Sequence, residues 1–422
     1  MVNAPPAVIF AAFAFAYFLS ALLRAVTATL APVFSAELGL RASDLGLLAG
    51  AYFLGFASMQ LPLGTALDRY GPRRTLLTLL GVAVLGCAAF AMTHQLAAMI
   101  ASRVFIGAGV AACLMAPLTL YRRIFSPLAQ LRANSWMLMT GSLGMVASTL
   151  PVQFLLPHLG WRGLFWVLAG LLLGAAGLIV LLVPPDRLGA ADGRLAHATG
   201  EATGEATGEA TAEATSHAIG YAAIARHPLF VAMAPLGFVV YGGMIAVQSL
   251  WAGPWLTRVA QQSAGEAAQG LFVINLSMLV AFLGWGVLMP RLARKGIDAS
   301  SLMAWGLPLP LLVLVANVWL GPEAGAGHWA LWCVACTFVS VSQPAVGAAF
   351  PAEQAGRALS AFNLVIFSGV FCVQWGIGLL VDVLQSWGWA EDNALRAAFA
   401  SLAACSAVAY AWFLRHRPRR YP

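Results

Sequence analysis

Charged side chains are scarce in this sequence. Asp, Glu, Lys and Arg together make up 9% of its 422 residues, whereas an ordinary soluble domain carries about 25%. With a mean hydropathy of +0.82, the chain has too little polar surface to cover a water-soluble globule. This deficit excludes a soluble enzyme, a disordered chain and a nucleic-acid-binding protein, although the net charge is +7. The sequence instead predicts a polytopic membrane protein surrounded by the lipid bilayer.

Cysteine is also rare, with six residues in the whole chain. All of them fall inside apolar runs, where a thiol behaves as a small hydrophobic group, so a disulfide scaffold is excluded. Cys333 and Cys336 form a C-x-x-C pair. Because no second pair and no nearby basic group accompanies it, we interpret it as helix packing. No nucleophile–base pair or metal-ligand cluster stands at membrane depth, so we expect no enzymatic activity, no cofactor and no bound metal.

Long apolar runs dominate what remains. A membrane-spanning helix needs about 20 apolar residues. The sequence supplies twelve such runs, at 8–31, 45–67, 75–93, 96–120, 134–157, 163–183, 229–252, 270–290, 299–320, 328–350, 361–384 and 394–414. The runs divide the chain into two six-helix units, 1–183 and 229–422, joined by the polar segment 184–228.

The polar segment is predicted to be a flexible cytoplasmic linker. Its middle, Thr199–Ala214, consists of tandem tetrapeptides that read TGEA three times and then TAEA. Nothing in these repeats can bury apolar area, so a solvated tether is the expected structure.

The basic residues predict the orientation of the spans, because Lys and Arg accumulate in cytoplasmic loops. With both termini in the cytoplasm, the outer loops hold only Arg41, Arg162, Arg258 and Arg396. Met1–Pro6 has no basic segment, so a cleaved signal peptide is not expected. We therefore predict a multi-pass protein of the cell inner membrane with both termini inside. The cytoplasmic basic residues are then Arg69, Arg73, Arg74, Arg122, Arg123, Arg132, Arg187, Arg194, Arg226, Arg291, Arg294, Lys295, Arg357, Arg415, Arg417, Arg419 and Arg420.

The loop after the second run carries a family resemblance. It reads Gly64-Thr-Ala-Leu-Asp68-Arg69-Tyr-Gly71-Pro-Arg73-Arg74, in which a glycine permits a tight turn. This segment resembles the signature loop of the major facilitator superfamily, G-x-x-x-D-[RK]-x-G-x-[RK]-[RK], at every diagnostic position. The resemblance implies that Asp68 latches the two halves together on the cytoplasmic side. It also implies a role in the conformational cycle for Gly64, Asp68, Arg69, Gly71, Arg73 and Arg74.

Three further segments resemble the same family. They are the R-x-x-x-G-x-G element from Arg103 to Gly109, the G-W-R-x-x-F element from Gly160 to Phe165, and a degenerate second signature loop at 286–295 with proline in place of the aspartate. Together they imply an all-α membrane protein with 12 transmembrane helices, in two pseudo-symmetric bundles that rock around a central cavity. They also imply that Arg103 serves structure and conformational coupling.

The ionisable residues within the predicted spans are arginines. Intramembrane charges are costly and usually functional, and all sixteen acidic residues fall in loops, the linker or span ends. A net positive interior favours an anionic substrate. Tyr17, Ser20, Arg24 and Thr27 follow steps of 3, 4 and 3 and so share one helical face, which we expect to face the cavity. The alternative for Arg24 is a side chain that snorkels to the outer headgroups.

The second half offers amides and aromatic residues rather than charges. Tyr241 and Gln248 share one face of the seventh run, and Gln248 lies within a turn of the position that corresponds to Arg24. For each amide the alternative role is a hydrogen bond between helices. The predicted substrate-binding residues are Tyr17, Arg24, Tyr241, Gln248, Asn275 and Gln374, with Asn363 and Gln343 as further polar positions.

With the resemblance, these residues predict a monomeric secondary transporter that works by alternating access. We expect it to take up a small anionic solute by proton symport or anion exchange. The proton would travel on the substrate or on Asp382 or Asp44. One alternative is a proton-coupled exporter of drugs or metabolites, although the fifth run lacks a G-P-x-x-G-G-type element. The other is a non-transporting sensor with the same fold, which would need a docking surface.

Overall fold

The computed structural model describes residues 5–185 and 220–417. The predicted linker, with its tetrapeptide repeats, lies for the most part outside the described residues. The first half is formed by α1 (Pro6–Leu38), α2 (Ala42–Ser58 and Gln60–Tyr70), α3 (Pro72–Met92), α4 (Leu96–Val110 and Ala112–Ile124), α5 (Pro127–Ala147, continued by 150–159) and α6 (161–182).

The second half begins after a short helix, Tyr221–Arg226. Within its first long helix, three stretches around Tyr241, Gln248 and Trp255 are π-helical, a geometry that is frequent at functional sites. The membrane helices of this half are α7 (Pro228–Val259), α8 (Ala264–Arg294), α9 (Ala299–Glu323), α10 (Ala326–Ala348), α11 (Ala352–Ser386) and α12 (Glu391–His416).

The helices confirm the predicted all-α membrane fold. Ten described helices are long and apolar enough to cross a membrane, and the bent pair of α2 makes an eleventh. The remaining span, α5, is broken after Ala147 and continues to Gly160, where φ is 63° and the chain turns into α6. Helix α5 starts earlier than the predicted residue 134, because Pro127 suits the first turn of a helix.

The outer surface of the bundle is apolar. Large side chains such as Trp305 and Phe154 are 87% and 72% exposed, and Trp319, Leu181, Leu85 and Val408 share this outward position. Soluble monomers rarely expose large apolar side chains to this degree. Such a surface fits hydrocarbon, so the chain is a multi-pass membrane protein.

The connections between the helices lie at two ends of the bundle. We call the end that carries the connections 39–41, 260–263 and 387–390 the Gly39 end. The opposite end carries the connection at residue 71 together with 295–298 and 349–351, and we call it the Gly71 end.

Polar contacts join the two halves at the Gly39 end. Asp382 of α11 accepts hydrogen bonds from the backbone N–H groups of Ala42 and Ser43, each at 3.1 Å. These groups lie at the N-terminus of α2, where the helix dipole favours a carboxylate. Arg258 of α7 donates to Oγ of Ser35 on α1 at 2.8 Å and also pairs with Glu391 of α12. The Gly39 end is therefore held closed.

Glycines allow the backbones of the two halves to touch at this end. A Cβ on Gly253 of α7 would lie 2.6 Å from the carbonyl oxygen of Ala28 on α1. A Cβ on Gly46 or Gly378 would overlap a backbone oxygen across the α2–α11 interface. Closure at the Gly39 end thus requires glycine at these positions.

We predict that Gly378→Ala opens the Gly39 end. The added methyl group overlaps the backbone oxygen of Ala42 in this closed conformation, while alanine improves the helix propensity of α11 itself. The measurement is the distance between spin labels at Gln95 and Ala390, exposed positions in connections of the two halves. The expected result is a shift of the distance distribution to longer values.

The matched control for this prediction is Gly376→Ala. Position 376 lies on the same helix, but a Cβ there meets no atom within 4 Å, so the distribution should stay that of the original chain. An unchanged distribution in Gly378→Ala would show that the halves do not depend on this contact.

Candidate substrate site and conformational elements

A central cavity of about 380 Å³ lies between the two halves. Its walls come from the parts of α2, α4, α10 and α11 nearer the Gly71 end, whereas the Gly39 end is closed. The lining residues are Tyr17, Ser20, Arg24, Phe56, Gln60, Val110, Ala111, Leu114, Met115, Leu138, Tyr241, Ile245, Gln343, Pro344, Leu359, Asn363, Ile366 and Phe367.

Among these described lining residues, Arg24 alone carries a charge. Its guanidinium carbon lies 5.9 Å from the ring centre of Phe56, and the hydroxyl groups of Tyr17, Tyr52 and Tyr241 are near enough to interact with it electrostatically. Its Nε is buried and has no hydrogen-bond partner among the described residues. The described part of the chain also forms no salt bridge to Arg24. The positive charge therefore points into the cavity unneutralised.

The face of α1 that was predicted to line the cavity is divided between two roles. Tyr17, Ser20 and Arg24 line it, whereas Thr27 accepts a hydrogen bond from Arg103 Nη2 at 2.7 Å. Arg103 also donates to the carbonyl oxygen of Leu23 at 3.2 Å and is only 1% exposed. Its position, between α4 and α1, is that of a group that ties two helices together.

A second pocket of about 90 Å³ lies behind Arg24 and is also lined by Tyr241, Gln248 and Asn275. Gln248 donates to the side-chain oxygen of Asn275 at 3.0 Å, and Asn275 donates to the carbonyl oxygen of Leu271 at 2.9 Å. The two amides thus bridge α7 and α8. The structure brings four of the predicted substrate-binding residues, those that line this pocket, to one place.

Gln374 lies elsewhere. It is fully buried between α11 and α7, donates to Ser249 Oγ at 2.8 Å, and its backbone oxygen accepts from Trp251 Nε1 at 3.1 Å. It lines neither the central cavity nor the pocket behind Arg24. The amide serves contact between helices, which was the alternative role for residues of this kind.

Several residues near the site were not among the predicted ones. Tyr52 donates to the carbonyl oxygen of Ser20 at 3.1 Å, and its ring lies 5.3 Å from the guanidinium carbon of Arg103. Phe56 and Gln60 follow it at steps of four and line the cavity. The spacing 52, 56 and 60 was a readable signal, since these residues share one helical face. Phe367 carries no such signal in its apolar run.

The signature loop forms the predicted turn at the Gly71 end. Gly71 has φ 83°, a conformation that L side chains rarely adopt. Arg73 donates to the carbonyl oxygen of Val180 on α6 at 2.7 Å, and Arg69 lies over the Tyr70 ring. Asp68 is exposed and makes no hydrogen bond or ion pair with the described residues. The described residues therefore do not form the latch through Asp68 that the resemblance implies.

Gly64 and Arg74 are the remaining members of the signature loop. A Cβ on Gly64 would meet no atom within 4 Å. Arg74 takes part in an interaction within the protein.

The G-W-R-x-x-F element fastens α6 to the end of α1. Trp161 Nε1 and Arg162 Nη1 each donate to one carboxylate oxygen of Glu37, at 2.7 and 2.5 Å. Arg162 also contacts His94 at 2.9 Å. The element therefore stabilises the first half.

The C-x-x-C pair stays in the apolar interior. Cys333 and Cys336 are both buried free cysteines of α10. Within the described ranges, no group of three or more His, Cys, Asp or Glu residues could hold a metal ion.

Residues 13–340, most of the chain, match the family model of the Major Facilitator Superfamily. The chain belongs to this superfamily. Membership, the membrane helices and the central cavity together support a secondary transporter.

Solved transporter structures share this superfamily fold over nearly the whole chain. A bacterial homologue of the human lysosomal transporter Spinster, in an inward-facing and unoccupied conformation, has a TM-score of 0.74 at 17% identity and 97% coverage of both chains. The D-xylose–proton symporter has a TM-score of 0.72 at 14% identity, covering 97% of this chain and 98% of that one. At such identities the likeness shows the fold alone.

A curated relative matches part of the transporter. Methyl viologen resistance protein SmvA of Salmonella typhimurium is 32% identical over 159 residues, which are 36% of this chain. The match spans 31% of the length of that protein.

We predict that Thr27→Val destabilises the protein more than Thr29→Val. Thr27 accepts a hydrogen bond from the buried, charged Arg103, whereas the matched control Thr29 donates to the neutral carbonyl oxygen of Ser148 at 2.8 Å. Loss of a bond to a charged group costs about 2 kcal/mol and loss of a neutral one about 1 kcal/mol. Thermal unfolding in one detergent measures both variants. Equal destabilisation would mean that Arg103 finds another acceptor.

Proposed function

We propose that this superfamily member takes up a small anionic solute through the central cavity. The observation that carries the proposal is the guanidinium of Arg24, which faces the cavity without an acidic partner among the described residues. A buried charge is costly to leave unpaired. A bound anion would neutralise it, whereas a cation would add like-charge repulsion.

The orientation proposed for the transporter places the Gly71 end in the cytoplasm. Arg69, Arg73 and Arg74 cluster at that end, and basic loops stay on the cytoplasmic side of the bacterial inner membrane. Both termini then lie in the cytoplasm. In this orientation the described conformation is inward-facing, because the Gly39 end is closed and the cavity lies toward the Gly71 end.

Coupling is proposed through the substrate itself or through exchange. Bringing a monoanion into a negative interior costs about 2.3 kcal/mol per 100 mV, so passive uptake is unfavourable. No carboxylate lines the cavity in the described part of the chain. Asp382 and Asp44, the predicted alternatives, accept backbone hydrogen bonds near the start of α2. This leaves a proton carried on the anion, or exchange for an internal anion.

An exporter of cationic compounds is the second candidate function. It is favoured by the partial match to a methyl viologen resistance protein. The cavity argues against it, because Arg24 would repel a dication and no acidic lining residue among those described would attract it.

We predict that Arg24→Gln abolishes binding of an anion and that Arg24→Lys retains part of it. Lysine keeps the charge but loses the bidentate fork of arginine, while glutamine keeps hydrogen bonding without charge. Purified protein is screened by thermal unfolding against carboxylates, inorganic anions and organic cations, including methyl viologen. The anion that stabilises most strongly then serves as the probe for the variants.

The matched control for Arg24 is Arg415→Gln, which removes an exposed arginine near the end of α12. It should leave the stabilisation by the anion unchanged. Full stabilisation of Arg24→Gln by the same anion would contradict the proposal, and so would stronger stabilisation by methyl viologen than by every anion.

We predict that Asp68→Asn slows transport while the affinity for the anion stays within about a factor of two. Asp68 has no partner in this conformation within the described residues and lies outside the cavity lining, so the charge acts in the opposite conformation. Uptake into proteoliposomes gives the rate, and thermal unfolding with the anion gives the affinity. Asp68→Glu, which keeps the charge, serves as control. If Asp68→Asn lost binding of the anion while the conformational cycle stayed normal, Asp68 would belong to substrate recognition instead.

A further inference from the structure

We propose that the central cavity selects a monovalent organic anion with an apolar body, a monocarboxylate that carries an aromatic or branched aliphatic group. This inference rests on the proposed function, because it names the class of anion that the site of Arg24 binds. It is argued from the charge of the cavity, from its unpaired polar atoms and from its walls.

The charge of the cavity matches one negative charge. Among the described lining residues, Arg24 is the one whose side chain is charged at neutral pH. A phosphate dianion or a dicarboxylate would bring a second negative charge that no lining residue neutralises. Burial of an unpaired charge is strongly unfavourable. The site therefore favours a monoanion.

Two buried polar atoms of the described cavity lining that have no partner lie together on one turn of α1. Ser20 Oγ and Arg24 Nε are both buried without a partner in the described part of the chain. The polar groups on the opposite walls already bond to each other, since Tyr241 donates to Gln343 at 3.4 Å and Gln343 donates to Asn363. Gln60 donates to the carbonyl oxygen of Phe56 at 3.2 Å.

This distribution fits a ligand with one polar head group. A sugar or another polyol needs a partner for each hydroxyl group that it buries. Around Ser20 and Arg24, where two buried atoms of the described lining residues have no partner, a carboxylate can accept hydrogen bonds at both oxygens.

The remaining walls are apolar and come from both halves. The rings of Phe56 on α2 and Phe367 on α11 lie 4.5 Å apart, and Leu114, Met115 and Ile366 continue the surface. The volume of about 380 Å³ is about thirteen times the 30 Å³ share of one water molecule in the liquid. An inorganic anion or acetate would leave most of this apolar surface uncovered, so an apolar body next to the carboxylate completes the fit.

The first test compares five probes on the full-length protein in lipid nanodiscs at one concentration and pH. Benzoate has a monoanionic head group and an aromatic body. Acetate lacks the body, inorganic phosphate and terephthalate carry further charge, and benzamide has the body without the charge. We expect benzoate to raise the unfolding temperature more than each of the other four probes.

The second test changes the apolar wall. Phe56→Ala should weaken benzoate binding about tenfold, because an aromatic contact with the ligand is lost. Phe367→Leu provides a milder variant of the same wall and should weaken binding in the same direction. The matched control is Phe154→Ala, whose side chain is 72% exposed on the outer surface of the bundle, and it should bind benzoate unchanged.

The outcomes separate this inference from the proposed function. Stabilisation by acetate, phosphate or terephthalate equal to that by benzoate would overturn the substrate class and leave anion uptake standing. Stabilisation by benzamide equal to that by benzoate would overturn both. No effect of benzoate, or unchanged benzoate affinity in Phe56→Ala and Phe367→Leu, would also overturn the class.

Discussion

The cost of polar groups in a hydrocarbon environment governs this molecule. A charge or an amide that faces lipid is costly in a protein of this composition, so the polar groups within the spans tend to turn inward, toward a partner or a cavity. Arg103 meets Thr27 and the backbone of α1. Gln248 meets Asn275. Arg24 retains an unpartnered Nε within the described structure, and the cavity forms beside it.

The same cost of unpaired polar groups determines the contacts at the closed Gly39 end. Asp382 does not pair with a basic side chain within the described residues but with two backbone N–H groups at the start of α2. Such contacts use groups that a helix terminus leaves free in any case. They are reversible at low cost, which suits an interface that opens and closes. The glycines beside them bring the backbones close enough for the contact to form.

The cavity and the closed end share the same pair of helices. Along α2 and α11, Phe56 faces Phe367 in the cavity, and Gly46 faces the backbone of Gln374 nearer the Gly39 end. A ligand that packs on both rings contacts both halves at once. Its binding energy can therefore bias the closure of this interface, since a ligand shifts a conformational equilibrium by its differential affinity for the two states.

The sequence by itself determined the fold class, the motifs and the sign of the cavity charge. Apolar run length is a local property, and the lack of acidic residues within the spans follows from composition. The steps from Tyr17 to Arg24 define one helical face in any helix. The turn at Gly71 was likewise local, because its backbone angle depends on a residue without a Cβ.

Only the tertiary structure decided which polar residues meet. Thr27 lies on the same face as Arg24, yet its hydroxyl group accepts a hydrogen bond from Arg103 of α4. Gln374 resembled Gln248 in sequence, but it bonds to Ser249 and does not line the pocket beside Arg24, as Gln248 does. Phe367 became part of the site because α11 packs on α2. Helical periodicity places a residue on a face, but the partner of that face is set by long-range packing, which one sequence does not encode in any local pattern.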